Sequence, residues 1–278
     1  MTRHLFILAP PYSGSTLLYR LVATSPAVSA LPGEGQHIES VQALLARDAW
    51  AEDREIPWGF IRAAWERHWD LSKPVLLEKS PPHMMRAAEL QEAFAPASFL
   101  ILVRDPYCLA EGIVRRWDWD ARAAGEFTVR LLRRQRQNLA LLERRLLLRY
   151  EDMAADPAAC ARSIVDSLPE LERIDPERKF RVHSIDGLRR RRIVDLNELK
   201  LRSLSVAQFE ELTQVFEPDA ELLAAFGYAP RETPADHARR HAWTRLRLGI
   251  TAPYRMALTR AVDAWRIARF HVGRAARR

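Results

Sequence analysis

Cysteine is scarce. Cys108 and Cys160 are the only two in 278 residues, and they form neither a disulfide framework nor a metal-site pattern. Reduced thiols, and with them a cytoplasmic setting, are expected. No apolar run reaches the roughly 18 residues of a membrane-spanning helix, so none is predicted. The first strand is expected almost at the start, with no signal peptide before it, and export is not expected. There are no internal repeats and no low-complexity tract. Lysine is missing where a nucleoside-triphosphate P-loop needs it. That pattern, G-x-x-x-x-G-K-[ST], uses its Lys on the β- and γ-phosphates, but here Gly14 is followed by Ser15, and Ala9 stands where the first Gly would fall.

What remains is a chain that is 48% hydrophobic, enough for a sizeable core in one large domain or two small ones. The net charge of +7 is unevenly placed. Residues 231–278 carry twelve Arg, no Lys and three acids, so residues 1–230 are slightly acidic. The boundary predicted from this is a globular body over 1–230 and a basic amphipathic helical extension over 231–278.

The rest of the chain is organised around Leu5 to Leu18. Leu5 to Ala9 is apolar and predicts a buried strand. Pro10-Pro11 stops it by removing backbone donors. Ser13, Gly14, Ser15 and Thr16 follow, and then Leu17, Leu18, Leu21 and Val22 recur at helical spacing. A helix start behind a small-residue loop offers free N–H groups and the positive end of the helix dipole, which suits a phosphate-like anion. A Ser-capped helix with no ligand is the alternative.

Three more strands are predicted: Pro74 to Lys79, Ser98 to Pro106 and Leu146 to Tyr150. The second is apolar on both faces, as a central parallel strand is. Val28 to His37 reads as a loop, in which Gly33 and Gly35 flank Glu34. Glu39 to His68 reads as helical, divided at Pro57, with Trp50, Trp58, Trp65 and Trp69 assigned mainly to packing. Helices are also expected over Met84–Phe94, Phe127–Leu142, from the N-cap pair Asp156-Pro157, from the cap Ser205 through Val215, and over Ala220–Phe226. Lys79 ends a buried strand, a costly position unless it serves an anion or pairs with an acid. Arg104 ends the strongest strand, where open α/β sheets bind ligands. His183 to Asn197 reads as a loop whose run Arg189-Arg190-Arg191-Arg192 suits a ligand phosphate.

Strands alternating with helices imply an α/β fold, a P-loop-like parallel sheet with helices on both faces. The order of motifs resembles the sulfotransferases that use 3′-phosphoadenosine 5′-phosphosulfate (PAPS), over roughly Leu5 to Pro230. Pro10 to Leu18 resembles the 5′-phosphosulfate loop P-x-x-S-G-[ST]-[ST]-x-L. Val103-Arg104-Asp105-Pro106 resembles the start of the 3′-phosphate motif. Glu78-Lys79-Ser80-Pro81 looks like E-K-[ST]-P, Arg149-Tyr150-Glu151-Asp152 like the Y-E-D strand end, and Phe226-Gly227-Tyr228 like the end of the domain. In motif style it is closest to carbohydrate, tyrosylprotein-type and bacterial members.

The resemblance implies a cofactor, PAPS, and a product, PAP. Pro11, Tyr12, Ser13, Gly14, Ser15, Thr16 and Leu17 would hold the 5′-phosphosulfate, and Lys79 would stabilise charge on the bridging oxygen. Arg104 and position 112 would hold the 3′-phosphate, with Arg191 and Arg192 adding charge. Two positions depart from the pattern: Tyr12 stands where Lys or Arg is usual, and Gly112 where Ser is usual. The base is Glu34, placed after the first helix as in tyrosylprotein and heparan-type members, or its rival His37. No metal is implied. The acceptor is a small molecule, carbohydrate, lipid or peptide presenting a hydroxyl or amine. Two other readings stay open: a P-loop kinase of a small metabolite, and a catalytically inactive nucleotide-binding relative. For residues 231–278, packing on the body or on a second subunit, or contact with an anionic membrane surface, is expected ahead of nucleic acid.

Overall fold

The apolar run near the N-terminus is a strand buried on both faces, and the fold is built outward from it. The computed structural model describes residues 2–249. In chain order its elements are β1 (Arg3–Leu8), α1 (Ser15–Val22), β2 (Val28–Ala30), α2 (Glu39–Ala46), α3 (Trp58–Glu66), β3 (Val75–Glu78), α4 (Ala87–Ala93) and β4 (Ala97–Val103). Then come α5 (Pro106–Trp117), α6 (Ala121–Leu141), β5 (Arg145–Arg149), α7 (Tyr150–Ala155), α8 (Pro157–Ser167), β6 (Phe180–Ser184) and β7 (Gly187–Arg191). The last are α9 (Asn197–Leu201), α10 (Val206–Phe216), α11 (Ala220–Ala224) and α12 (His237–Gly249).

Five strands form one sheet in the order β2-β3-β1-β4-β5, all parallel. From β1 the chain runs to one side for β2 and β3, then crosses to the other for β4 and β5. The strand order therefore reverses around β1, and a crevice opens at the C-terminal ends of β3, β1 and β4.

Alternation along β1 sorts the core. Leu5, Ile7 and Ala9 pack with Leu18, Leu21 and Val22 of α1 and with Cys160 and Ile164 of α8. Phe6 and Leu8 face the other way, into Trp58, Trp65, Phe94, Phe99 and Leu131. Helices thus cover both faces, as the alternating sequence predicts. Phe6 stacks on Phe99 at 5.8 Å and meets Phe94 edge-on at 5.1 Å. A buried Phe of this kind stabilises by about 1.5–3 kcal/mol. A third cluster joins α5, α6 and α10 around Tyr107, Phe209 and Phe216. Among the described residues no helix is long and apolar enough to cross a membrane.

Several local expectations are corrected. The predicted loop from Val28 contains a three-residue edge strand, β2. The helical stretch from Glu39 to His68 breaks over residues 47–57 rather than at Pro57 alone, with Asp48 at φ 45°. Residues 81–86 form a 3₁₀ turn ahead of α4, opened by Pro81 and Pro82. α6 starts at Ala121, because Asp120 accepts the amide of Ala123 at 2.7 Å and caps it there. The predicted loop from His183 holds most of an antiparallel hairpin, β6–β7. Of the tail, α12 is described, and residues 250–278 lie outside the described residues.

Candidate active site

The loop after β1 is shaped by its small residues. Ser13 Oγ donates to the carbonyl of Pro10 at 2.7 Å. Tyr12 and Gly14 take positive φ, 64° and 94°, and at Gly14 only glycine does so without strain. A Cβ on Gly14 would also stand 2.7 Å from the ring of Tyr150. Among the described residues the amides of Gly14, Ser15 and Thr16 have no backbone acceptor, whereas those of Leu17 and Leu18 bond to the carbonyl of Gly14 at 2.8 and 3.1 Å. Three donors at the positive end of α1 therefore face the crevice. Leu17, expected among the ligands, has no amide to offer, and Pro11 has none by nature.

Lys79 follows β3 and is 3% exposed. Its Nζ donates to Thr16 Oγ1 at 3.3 Å and forms a short ion pair with Glu34 Oε1. Glu34 Oε2 accepts from Gln36 Nε2 at 2.6 Å and lies 3.5 Å from His37 Nε2. Burial pushes the Glu34 carboxyl up, but the hydrogen bond from His37, the charge and hydrogen bond of Lys79 and the bond from Gln36 outweigh it and hold the pKa at about 2. The pair expected for Lys79 is thus Glu34 across the crevice rather than its neighbour Glu78. On the far side of Glu34 lies a cleft of about 740 Å³, lined among others by Gly33, Glu34, His37, Glu39, Arg67 and His68.

Arg104, just past β4, is 4% exposed. Its guanidinium lies 3.6 Å above the ring of Tyr150. Nε donates to Asn197 Oδ1 at 2.8 Å and Nη1 to the Tyr12 carbonyl at 3.1 Å. Nη2 is buried and has no partner among the described residues. Glu151 Oε1 accepts from Asn197 Nδ2 at 2.7 Å and from the amide of Asp105 at 2.9 Å. Glu151 Oε2 accepts from the hydroxyl of Tyr228 at 2.7 Å. Arg104, Tyr150-Glu151 and Tyr228, read from three separate motifs, form one network that fixes the guanidinium. Asn197 belongs to it and escaped sequence reading, since nothing around it marks a site. So did Gln135, buried in α6, whose Nε2 donates to the carbonyls of Leu8 at 2.8 Å and Leu102 at 3.2 Å and ties the ends of β1 and β4 together.

Gly112 lies on α5 under the Tyr12 ring, and Tyr12 also meets Trp117 edge-on at 5.8 Å. Burial pushes the Tyr12 phenol up to about 12 against the pull of Arg116 and Arg115. Behind it, the buried Lys200 pairs with Glu111 at 3.1 Å, and burial lowers the lysine to about 8. Arg191 and Arg192 make their contacts on and near the hairpin: Arg191 grips both oxygens of Asp186, at 2.5 and 2.9 Å, and Arg192 pairs with Glu177 at 2.9 Å.

Free amides at a helix start, a lysine bridging the Thr16 hydroxyl to a carboxylate and an orphaned guanidinium nitrogen lie together at the switch point of a P-loop-like parallel sheet. A sulfotransferase family model matches residues 4–175, and the chain belongs to that family. A sulfotransferase from Alicyclobacillus acidocaldarius has the same fold, with a TM-score of 0.51 at 18% identity over 81% of this chain and 96% of that one. A sulfotransferase from Mycobacterium avium gives 0.47 at 14% identity, over 91% and 76%. The sulfotransferase domain of the Synechococcus PCC 7002 olefin synthase gives 0.42 at 21%, over 87% and 94%. Among curated proteins none matches the chain.

Proposed function

We propose that the chain moves a sulfuryl group from PAPS to a hydroxyl or amine of an acceptor held in the cleft beside Glu34, with Glu34 as general base. The observation that carries this reading is Lys79, whose ammonium touches both Thr16 of the anion loop and the Glu34 carboxylate.

The residues present suit the donor. The amides of Gly14, Ser15 and Thr16 match the 5′-phosphate, and the orphaned Nη2 of Arg104 matches one oxygen of the 3′-phosphate. PAPS supplies an activated sulfuryl group and leaves as PAP. Such a transfer depends on positioning and charge stabilisation. Arg104 is held for this by Tyr150 and Asn197. Lys79 neutralises charge at the loop.

Glu34 removes the acceptor proton. A carboxylate held at about 2 is a weak base, so the pair with Lys79 has to loosen for catalysis. A second anion at the loop competes for Lys79 and leaves Glu34 more basic, which makes donor binding a precondition of deprotonation. His37 remains the rival base, at the rim of the same cleft with its side chain 58% exposed. Both cysteines are buried and unpaired, which supports a reducing compartment such as the cytoplasm.

The test is transfer of ³⁵S from labelled PAPS to a panel of carbohydrate, lipid, peptide and small-molecule acceptors, beside labelled ATP. Label transfer from PAPS is expected. Transfer from ATP alone would favour the kinase reading, and PAP binding without any transfer would favour the inactive relative.

A further inference from the structure

We infer that Glu78 and Ser80 are positioning residues that hold the backbone of the Glu34 turn from behind, while Lys79 between them faces the donor loop. This rests on the reading of Glu34 as base. Glu78 is the last residue of β3, and Ser80 continues in extended conformation, φ −136° and ψ 120°. Extended backbone sends side chains 78 and 80 to one side and 79 to the other.

On the shared side, both amides that follow Glu34 are bound. Glu78 Oε1 accepts the N–H of Gly35 at 3.0 Å, and Ser80 Oγ accepts the N–H of Gln36 at 3.1 Å. Ser80 Oγ in turn donates to Glu78 Oε1 at 2.5 Å. The carbonyl of Gly35 accepts from Trp65 Nε1 at 3.2 Å. Glu78 is 1% exposed, and Ser80 and Trp65 are fully buried. Gly35 fits only because it has no side chain: a Cβ there would stand 2.7 Å from Trp65 and 2.9 Å from Glu78 Oε1.

An ionised buried carboxylate is costly unless its lone pairs are satisfied. Those of Glu78 are met by Gly35, Ser80 and His83, whose Nδ1 lies 3.0 Å from Oε2. Among the described residues no Lys or Arg forms an ion pair with Glu78. Its role is therefore a geometric one, fixing the peptide next to the base. The same turn walls the 740 Å³ cleft, so one strand end registers donor loop, base and acceptor wall against each other. Misplacement of a reacting group by about 1 Å costs on the order of 10²-fold in rate.

The test uses the full-length chain with Ser80→Ala, which removes one acceptor without a large cavity, and Glu78→Gln, which keeps the shape. Amide exchange at Gly35 and Gln36, PAP affinity by calorimetry and turnover of labelled PAPS are read together. Exchange at these two amides is expected to quicken at least about tenfold, and turnover to fall by about 10–100-fold, with PAP affinity within about twofold of the parent. Unchanged exchange at Gln36 in Ser80→Ala would overturn the proposal. So would loosened amides with full turnover, or PAP affinity lost in step with turnover. If Glu78→Gln does not fold, Ser80→Ala decides. Full turnover in Glu34→Gln would remove the base assignment instead, and the exchange data would still say whether the turn is held by Ser80 and Glu78.

Discussion

Gly112 lies beneath the ring of Tyr12, so close that a Cβ on it would stand 2.4 Å from Tyr12 Cγ. The two positions at which the chain departs from the sulfotransferase pattern are therefore one feature. An aromatic ring replaces a cation in the loop, and the facing helix loses its side chain to seat the ring. The loop's shape depends on this contact, because the Tyr12 carbonyl is also what Arg104 Nη1 holds, at 3.1 Å.

The contact predicts non-additive substitutions. Gly112→Ser restores the usual residue and gains about 0.5 kcal/mol or less of helix propensity, but overpacking at a buried site costs about 1–3 kcal/mol. A net loss of stability is expected, visible as a lower denaturant midpoint. In Tyr12→Ala the added serine has room, and Gly112→Ser on that background is expected to cost nothing. Equal effects on both backgrounds would mean that the ring does not rest on Gly112.

Arg104 predicts donor selectivity. On the proposed reading its Nη2, which has no partner among the described residues, takes an oxygen of the 3′-phosphate, so PAP is expected to raise the melting temperature well above what AMP does. Removing a charge-assisted contact costs about 1.5–3 kcal/mol, so Arg104→Ala should weaken PAP at least about tenfold. Arg104→Lys keeps the charge but loses the fork held by Tyr150 and Asn197, and a loss there as well is expected. Equal shifts from PAP and AMP in the parent would remove Arg104 from the 3′-phosphate.

Glu34→Gln is expected to lower turnover by about 10²–10⁴-fold with PAP affinity near that of the parent. Unchanged turnover there, with a collapse in His37→Ala, would give the role to His37. Stability carries a second signature. The folded pKa of about 2 lies below the ordinary 4.5, so the carboxylate stabilises the fold above about pH 4.5, and this contribution is lost as pH falls toward 2. The urea midpoint of the parent, less that of Glu34→Gln, should therefore shrink between pH 6 and pH 2. A difference constant with pH would mean that the pair with Lys79 does not form in solution.

The architecture and the loop were legible because their signals are local. Four apolar strands, a Pro-Pro stop, a Ser-Gly-Ser-Thr loop and Asp-Pro caps each act within a few residues. β2 was not, since three residues of edge strand carry too little pattern. The hairpin was hidden because Arg181 and Arg190 face each other across it, where like charges oppose pairing. Within the site, Lys79, Arg104 and Glu34 were visible as charges in unusual places. Their partners were not: Asn197 meets Arg104 from 93 residues away and Gln135 meets Leu8 from 127. The packing role of Gly35 was equally hidden, since its lack of a side chain is required by Trp65 and Glu78, 43 or fewer residues away in sequence but in contact with it.

The C-terminal segment predicts different results from two truncations. Arg231 forms an ion pair with Asp105, a carboxylate 1% exposed, and its amide bonds to the Tyr107 hydroxyl at 2.8 Å. His237 is 2% exposed, with Nε2 2.9 Å from the Leu204 carbonyl. Residues 231–237 are therefore anchored to the body, and the body does not end cleanly at Pro230. Along α12 the body-facing side continues, with His241 Nδ1 3.2 Å from the Arg202 carbonyl and Thr244 6% exposed, while the other face is open: Trp243 is 70% and Leu246 63% exposed, among Arg239, Arg240, Arg245 and Arg247. A cut after Pro230 leaves Asp105 buried without its partner, which destabilises the fold, and a clearly lower melting temperature is expected. A cut after Gly249 spares every contact described at the site, and PAP affinity should stay within about twofold of the full chain. Sizing and flotation on anionic vesicles then read what the segment does. Apolar side chains among arginines suit either a second subunit or a membrane surface. We propose the subunit contact, made through Trp243 and Leu246, so the full chain carrying Trp243→Ser and Leu246→Ser should run smaller on sizing than the parent. Loss of vesicle binding with unchanged assembly would favour the membrane instead. Loss of PAP affinity in a folded chain cut after Gly249 would show that the segment completes the donor site.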